Sequence, residues 1–133
     1  MRTNKMRRIA WVSGALLIAV TAAISAQAPT ITRTVLNRAD STRPGYEAVT
    51  AKAEFPVSGS TGRHTHPGDE ISYVLEGTIM LEVQGAPGKT LKAGEAFFVP
   101  AGTIHNATAS GGKATVIANY VVEKGKPLTV PAQ

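Results

Sequence analysis

After residue 33, glycine and proline interrupt the sequence so often that only short elements fit between them. The interruptions are RPG at 43–45, PVSGSTG at 56–62, GAPG at 85–88, AG at 93–94, PAG at 100–102 and SGG at 110–112. No ten-residue amphipathic helical pattern occurs in this part of the sequence. Many segments of strand length, separated by turns of this kind, predict an all-β sandwich or barrel.

The clearest strand is predicted at 78–84, because Ile79, Leu81 and Val83 alternate with other residues and share one face. Further strands are predicted at 46–55, 70–76, 96–99, 105–109 and 114–123. Residues 34–43 are mixed and polar and show no strand pattern. The tail from 124 to 133 is polar and contains two prolines, which predicts a loosely held closing segment.

The net charge of the chain is unevenly distributed. Lys and Arg number 14 against 9 Asp and Glu, a formal charge of +5. Four of the basic residues and no acidic residue lie in residues 1–28, so residues 29–133 carry ten basic and nine acidic groups, a net of +1. The basic residues of that part are scattered singly and without interleaved aromatics. This pattern predicts no nucleic-acid partner.

The basic start is followed by an apolar stretch and then by small residues, which predicts that residues 1–28 are a signal peptide cut after Ala26 or Ala28. The predicted product is a single domain at 29–133, exported to the periplasm or secreted. The alternative is an uncleaved anchor, since Ile9–Thr32 is long enough to span a bilayer. Membrane contact would then occur through this segment alone. Arg7-Arg8 leaves both the general and the twin-arginine export routes open.

Three histidines are the candidate functional residues of a chain without cysteine. His64-Thr65-His66 places two imidazoles on the same side of an extended segment. Glu70 follows a Pro-Gly-Asp turn and can fold back towards both, and His105 could complete the set from a distant strand. Imidazoles and a carboxylate suit a borderline divalent metal. The alternative is that the histidines are ordinary surface or core residues.

Two stretches around the histidines resemble the two motifs of the cupin family. The first family motif is a glycine, a short spacer, H-x-H, three or four residues, a glutamate, six residues and a glycine. It is matched by His64, His66, Glu70 and Gly77, with Gly59 one residue off the usual spacing. The second is a glycine, five residues, P-x-G, two residues, a histidine, three residues and an asparagine. It is matched by Gly94, Pro100, Gly102 and His105, with Ala109 in place of the asparagine and an asparagine instead at Asn106.

The resemblance implies a double-stranded β-helix, the jelly-roll or cupin barrel, with one metal held by His64, His66, Glu70 and His105. The metal would be Fe, Mn, Ni, Cu or Zn, and Glu70 could also act as a catalytic base. On a strand that starts with an inward Glu70, the side chains that share its parity should line the pocket. These are Ser72 and Val74 on that strand, while Ala107 and Ala109 share the parity of His105. We expect a dry cavity with room for a ligand beside the metal.

Three functions follow from this resemblance. The first is a metal-dependent enzyme of dioxygenase or isomerase type that acts on a small molecule. The second is a non-catalytic module that binds a metal or small ligand in the cell envelope, and the third is a barrel that works without a ligand. The outward residues Tyr73, Leu75 and Met80 would suit a homodimer interface. Arg63 is the cation nearest to the histidines in sequence and is predicted to be a solvated residue at the rim.

Overall fold

The computed structural model describes residues 27–133, which form ten β-strands and contain no helix. The strands are β1 Thr32–Asp40, β2 Tyr46–Phe55, β3 His64–Thr65, β4 Asp69–Glu76, β5 Thr78–Val83, β6 Lys89–Lys92, β7 Ala96–Val99, β8 His105–Ala109, β9 Ala114–Glu123 and β10 Val130–Pro131. The predicted signal segment lies almost entirely outside the described residues. Within 27–133, no helix has the length and apolarity needed to cross a membrane.

The strands form two antiparallel five-stranded sheets. The first sheet has the order β1-β2-β9-β4-β7, and the second has the order β10-β3-β8-β5-β6. The central pairing of the first sheet joins β2 to β9, from Tyr46 opposite Glu123 to Phe55 opposite Ala114. Two sheets built from strands that cross over in sequence are consistent with the predicted double-stranded β-helix.

Alternation of side chains creates the core between the sheets. In β9, the side chains at even positions are buried, namely Ala114, Val116, Ala118, Tyr120 and Val122. Burial also confirms the predicted parity of β4, because Ser72 and Val74 are buried whereas Ile71 is exposed. In β7, Phe97 packs against the core and Phe98 is exposed, which follows from their opposite directions on the strand.

The two ends of the described chain differ from the sequence-based expectation. Residues 32–40 form β1, although no strand was predicted there. This strand forms one edge of the first sheet and is exposed along almost its whole length, so it lacks the apolar alternation that marks a half-buried strand. The tail is also not loosely held: β10 pairs with β3, and the amide of Ala132 donates to the carbonyl of Arg63.

Two turn glycines allow close packing of the backbone. Gly77, between β4 and β5, has a positive φ of 76°, a conformation that side chains disfavour. Gly68 lies directly against the backbone of β9, where a Cβ atom would overlap the carbonyl oxygen of Val121. The segment between His66 and Glu70 can therefore approach the first sheet only with glycine at this position.

The apolar residues that point outward do not form one patch. Tyr73 and Leu75 are exposed on β4 of the first sheet. Ile71 of the same strand and Phe98, which lies opposite it on β7, are exposed as well. Met80 is exposed on β5, which belongs to the second sheet. The three residues predicted to suit a dimer interface therefore lie on two different faces, and the oligomeric state stays a prediction.

Candidate metal centre

Three backbone segments bring the four candidate residues together. His64 lies on β3 directly opposite His105 on β8, so the second sheet places their imidazoles side by side. His66 follows β3, and Glu70 lies on β4 of the first sheet. All four side chains are buried between the sheets.

The donor atoms of these side chains converge on one point. One ligand atom from each residue lies within 4.8 Å of all the others. His64 Nε2 is 3.1 Å from His66 Nε2, and Glu70 Oε2 is 2.9 Å from His66 Nε2 and 3.1 Å from His105 Nε2. Two ligand atoms that lie about 2.1 Å from a metal at right angles are about 3.0 Å apart. The spacing of the donors therefore fits coordination of a single ion.

Backbone carbonyls fix the orientation of each imidazole. Nδ1 of His64 lies 2.8 Å from the oxygen of Gly62, and Nδ1 of His105 lies 2.9 Å from that of Thr103. Nδ1 of His66 lies 2.6 Å from the oxygen of Leu128 in the tail. Because a carbonyl oxygen can only accept, each Nδ1 carries the hydrogen, which leaves the Nε2 lone pairs directed at the common point.

The carboxylate of Glu70 is also held in place. Ser72 Oγ donates to Glu70 Oε1 over 2.6 Å, and Oε2 is the oxygen that faces the imidazoles. Burial alone would raise the pKa of Glu70. Hydrogen bonds from His105 and His66, which donate through Nε2 only when that nitrogen is protonated and holds no metal, and from Ser72 outweigh burial and hold the pKa below its usual range. The side chain is therefore ionised at physiological pH, as a metal ligand must be.

The environment of His64 favours the neutral form that metals bind. Burial lowers the pKa of His64 to about 4; the carbonyl of Gly62 opposes this effect, and the neighbouring His105 and His66 add to it. Protonation of His64 would therefore compete with a metal only under acidic conditions. The sequence alone could not have shown the lowered pKa of His64, since it depends on the burial of the side chain.

The cavity beside the donors is smaller than expected. Its volume is about 20 Å³, which is room for about one water molecule. Of the four residues predicted to line it, only Ala107 does, while Ser72, Val74 and Ala109 are buried elsewhere in the core. The aromatic rings of Phe55 and Phe97 and the long side chain of Arg33 line it as well. The expected roomy, apolar cavity is thus a narrow one with a cationic wall.

Sequence reasoning missed three polar residues of this cavity, namely Arg33, Thr61 and Tyr120. Tyr120 is 2% exposed, and its ring centroid lies 4.7 Å from that of His66. Burial, and next the charge of Glu70, raise the pKa of Tyr120, so its hydroxyl stays protonated. Tyr120 could have been noticed as the one hydroxyl-bearing side chain at an inward position of β9. Arg33 lies on the unpredicted strand β1, so nothing in the sequence pattern marked it.

The structure also shows what Ala109 and Asn106 do in place of the motif asparagine, and where Arg63 lies. Ala109 is buried in the core, while Asn106 accepts a 2.8 Å hydrogen bond from Ser60 and donates to Glu82. Asn106 therefore ties β8 to the segment before β3 without contacting the donors. Arg63 is exposed, as predicted, and borders an external groove rather than the internal cavity.

Removal of residues 128–133 is expected to weaken metal binding by about 10–100-fold. The deletion takes away the Leu128 oxygen that orients His66, and partners of this kind contribute to metal affinity by that factor. The measurement is a competition titration with a chromophoric chelator. Removal of 131–133 alone is the control, because it leaves Leu128 in place. Equal affinity of the longer deletion and the full chain would contradict the role given to the tail.

Comparison with known proteins identifies the family. The family model of the cupin domain matches residues 51–130, which is more than half of the chain. The protein belongs to the cupin family. The predicted family is therefore confirmed, and the buried cluster of the cupin barrel is able to bind a metal. No curated protein matches the sequence significantly.

Several solved structures share the fold of this cupin. A cupin superfamily protein from Desulfitobacterium hafniense DCB-2 has a TM-score of 0.59 at 19% identity, over 75% of this chain and 84% of that one. The DMSP lyase DddQ from Ruegeria pomeroyi DSS-3 has a TM-score of 0.64 at 18% identity, over 77% and 51%. An oxalate oxidase in complex with glycolate has a TM-score of 0.55 at 22% identity, over 62% and 45%. At these identities the likeness shows the fold alone.

Proposed function

We propose that this cupin binds one divalent transition metal through His64, His66, Glu70 and His105 and acts as an oxygenase-type enzyme on a small molecule. The observation that carries the proposal is the set of three Nδ1 to carbonyl contacts, which direct three Nε2 atoms at the carboxylate of Glu70. A donor set of three imidazoles and one carboxylate, without a thiolate, suits Fe, Mn, Ni, Cu or Zn. Such a metal would act there as a Lewis acid or redox centre.

The enzymatic part of the proposal rests on the family and on the donor set of the site. The fold is shared by structures named as a lyase and as an oxidase, so the cupin barrel hosts catalysis. Glu70 would hold the metal through Oε2, while Ser72 holds Oε1. A proton-accepting role for Glu70 would require its release from these contacts, because they keep its pKa low.

The second candidate is a non-catalytic module that binds a metal or a small ligand. The cavity of about 20 Å³ favours this alternative, because a substrate of several heavy atoms does not fit beside the donors without movement of the lining side chains. In this case, ligand binding would stabilise the metal-loaded protein without forming a product.

Export is part of the proposal as well. The four basic residues within 1–28, the apolar stretch and the alanines that follow support a signal peptide, and the described domain is consistent with a separate folded product. The protein would then work in the periplasm or outside the cell, where it would take its metal from the envelope. An uncleaved segment would instead anchor the same domain to the membrane.

The decisive experiment combines metal analysis with a variant at Glu70. Elemental analysis and electron paramagnetic resonance of protein from its native compartment identify the metal. Glu70→Gln is expected to keep part of the metal and to lose turnover, measured as oxygen uptake with catechol and dihydroxyfumarate as probes. Glu76→Gln is the control, since Glu76 lies on the same strand and is exposed.

The outcomes separate the two candidates. A redox-active metal with turnover that disappears in Glu70→Gln supports the enzyme. Zinc, together with ligand-dependent stabilisation and no oxygen uptake, favours the binding module. A Glu70→Gln protein that retained both the full metal content and full turnover would contradict the proposed role of Glu70.

A further inference from the structure

The side chain of Arg33 places a positive charge beside the four candidate metal ligands. Arg33 projects from β1 into the cavity that is also lined by Glu70, His64 and His105. The guanidinium group carries five N–H donors in a fixed fork. Its Nη1 donates to Thr129 Oγ1 over 3.0 Å, whereas its Nε is buried and has no hydrogen-bond partner among residues 27–133.

A buried N–H without an acceptor is unfavourable, so its persistence at a cavity wall calls for a partner. The small neighbours of Arg33 explain how the side chain reaches this place. Ala53 lies opposite Arg33 in the β1–β2 ladder, and Ala118 lies further along the same wall. Larger residues at these positions would fill the space through which the guanidinium reaches the site.

The charge balance of the cavity indicates what this partner is. Its lining contains one cation, Arg33, and one anion, Glu70, besides two histidines and Tyr120. The charges of Arg33 and Glu70 cancel, so a divalent metal would leave two uncompensated positive charges in a narrow, largely buried space. Such a space favours an anionic ligand over a neutral one.

We propose that Arg33 forms an anion-binding subsite next to the metal, so that the ligand of this cupin is a small carboxylate. The planar fork of the guanidinium matches a carboxylate with two parallel hydrogen bonds. The free Nε would supply one of these bonds. Because the cavity has room for about one water molecule, even a small carboxylate would enter only with movement of the lining side chains. This assignment rests on the proposed function, because it takes the metal to be the second partner of the same ligand.

The test measures the binding of formate and acetate to the metal-loaded protein by calorimetry, with metal content determined for every sample. Arg33→Gln is expected to weaken acetate binding at least about tenfold, as loss of a charge-assisted pair does, and to leave metal content unchanged. Arg33→Lys should give an intermediate affinity, because it retains the charge and loses the fork. Arg63→Gln, at an exposed arginine, is the matched control and should bind acetate as the wild type does.

A neutral probe distinguishes anion binding by Arg33 from a purely structural role of this residue. Acetamide has the shape of acetate without its charge, so it should bind weakly to wild type and variants alike. If Arg33 merely held Thr129 in place, Arg33→Gln would lower thermal stability but not the preference for acetate over acetamide. That result, or equal acetate affinity of Arg33→Gln and wild type at equal metal content, would overturn the subsite.

The two proposals can fail separately. If the wild type binds no metal, the proposed function is wrong, and the same acetate titration is carried out on the metal-free protein. Binding that disappears in Arg33→Gln would then still support the anion subsite. Absence of acetate binding to the metal-free wild type would overturn it.

Discussion

The His66→Ala variant is expected to lose the greater part of the stabilisation that a divalent metal gives to the wild type. At a free metal concentration 1,000 times the Kd, the wild type should gain about 4 kcal/mol in free energy of unfolding. Loss of a ligand should weaken binding more than about 100-fold, which leaves the variant no more than about 1.4 kcal/mol at the same metal concentration. The measurement is urea denaturation with metal and with chelator.

The comparison between the two conditions removes other effects of the substitution. His66 packs against Tyr120, so its truncation also lowers the stability of the metal-free protein. The difference between metal and chelator isolates the part that arises from binding. Thr65→Ala is the control, because Thr65 is the neighbouring residue and is absent from the donor cluster. Equal metal-dependent stabilisation of His66→Ala and wild type would show that these residues do not hold the metal.

The Gly68→Ala variant is expected to lose more than about 3 kcal/mol of stability, which places it among the severe substitutions. The added Cβ would overlap the carbonyl oxygen of Val121 and lie 2.8 Å from its carbonyl carbon. These atoms belong to β9, which is held on both sides by β2 and β4 and cannot move aside. The turn between His66 and Glu70 would shift instead, so metal affinity should fall as well.

Gly112→Ala is the matched control for this prediction. A Cβ at Gly112 meets no atom within 4 Å, and the residue does not require a positive φ. Its stability should remain within about 0.5 kcal/mol of the wild type. Urea denaturation of both variants provides the comparison. If Gly68→Ala were as stable as Gly112→Ala, the close contact between this turn and β9 would be wrong.

Patterns of alternation predicted those parts of the fold in which one face of a strand is buried. The bounds of β7, β8 and β9 agree with the sequence-based strands, because glycine and proline turns delimit them. In β8, polar Asn106 and Thr108 also alternate with buried residues, whereas β7 is apolar on both faces. The edge strand β1 escaped prediction, since both of its faces are largely exposed. The tail escaped it because its pairing with β3 and its contact with His66 are made by its backbone groups, which leave no mark in the sequence.

The candidate site was predictable to a similar extent. The three histidines and Glu70 stood out through their spacing, and the structure brings them together. The orientation of the rings could not be foreseen, because it depends on the carbonyl oxygens of Gly62, Thr103 and Leu128, which any residue would offer. The size of the cavity could not be predicted either. Inward alanines suggested an open space, but the side chain of Arg33 enters the cavity from β1, a strand that the alternation of apolar residues did not indicate.

The pairing of β2 with β9 has a consequence for the order of folding. Phe55 lies opposite Ala114, so this ladder closes a long stretch of chain that contains all four donors. Glu70 in turn pairs with Tyr120, and therefore takes its final place only after β9 has joined the sheet. Contacts between residues so distant in sequence form late and slowly. A metal that needs the complete donor set would thus act mainly by slowing unfolding, and would do little to speed folding.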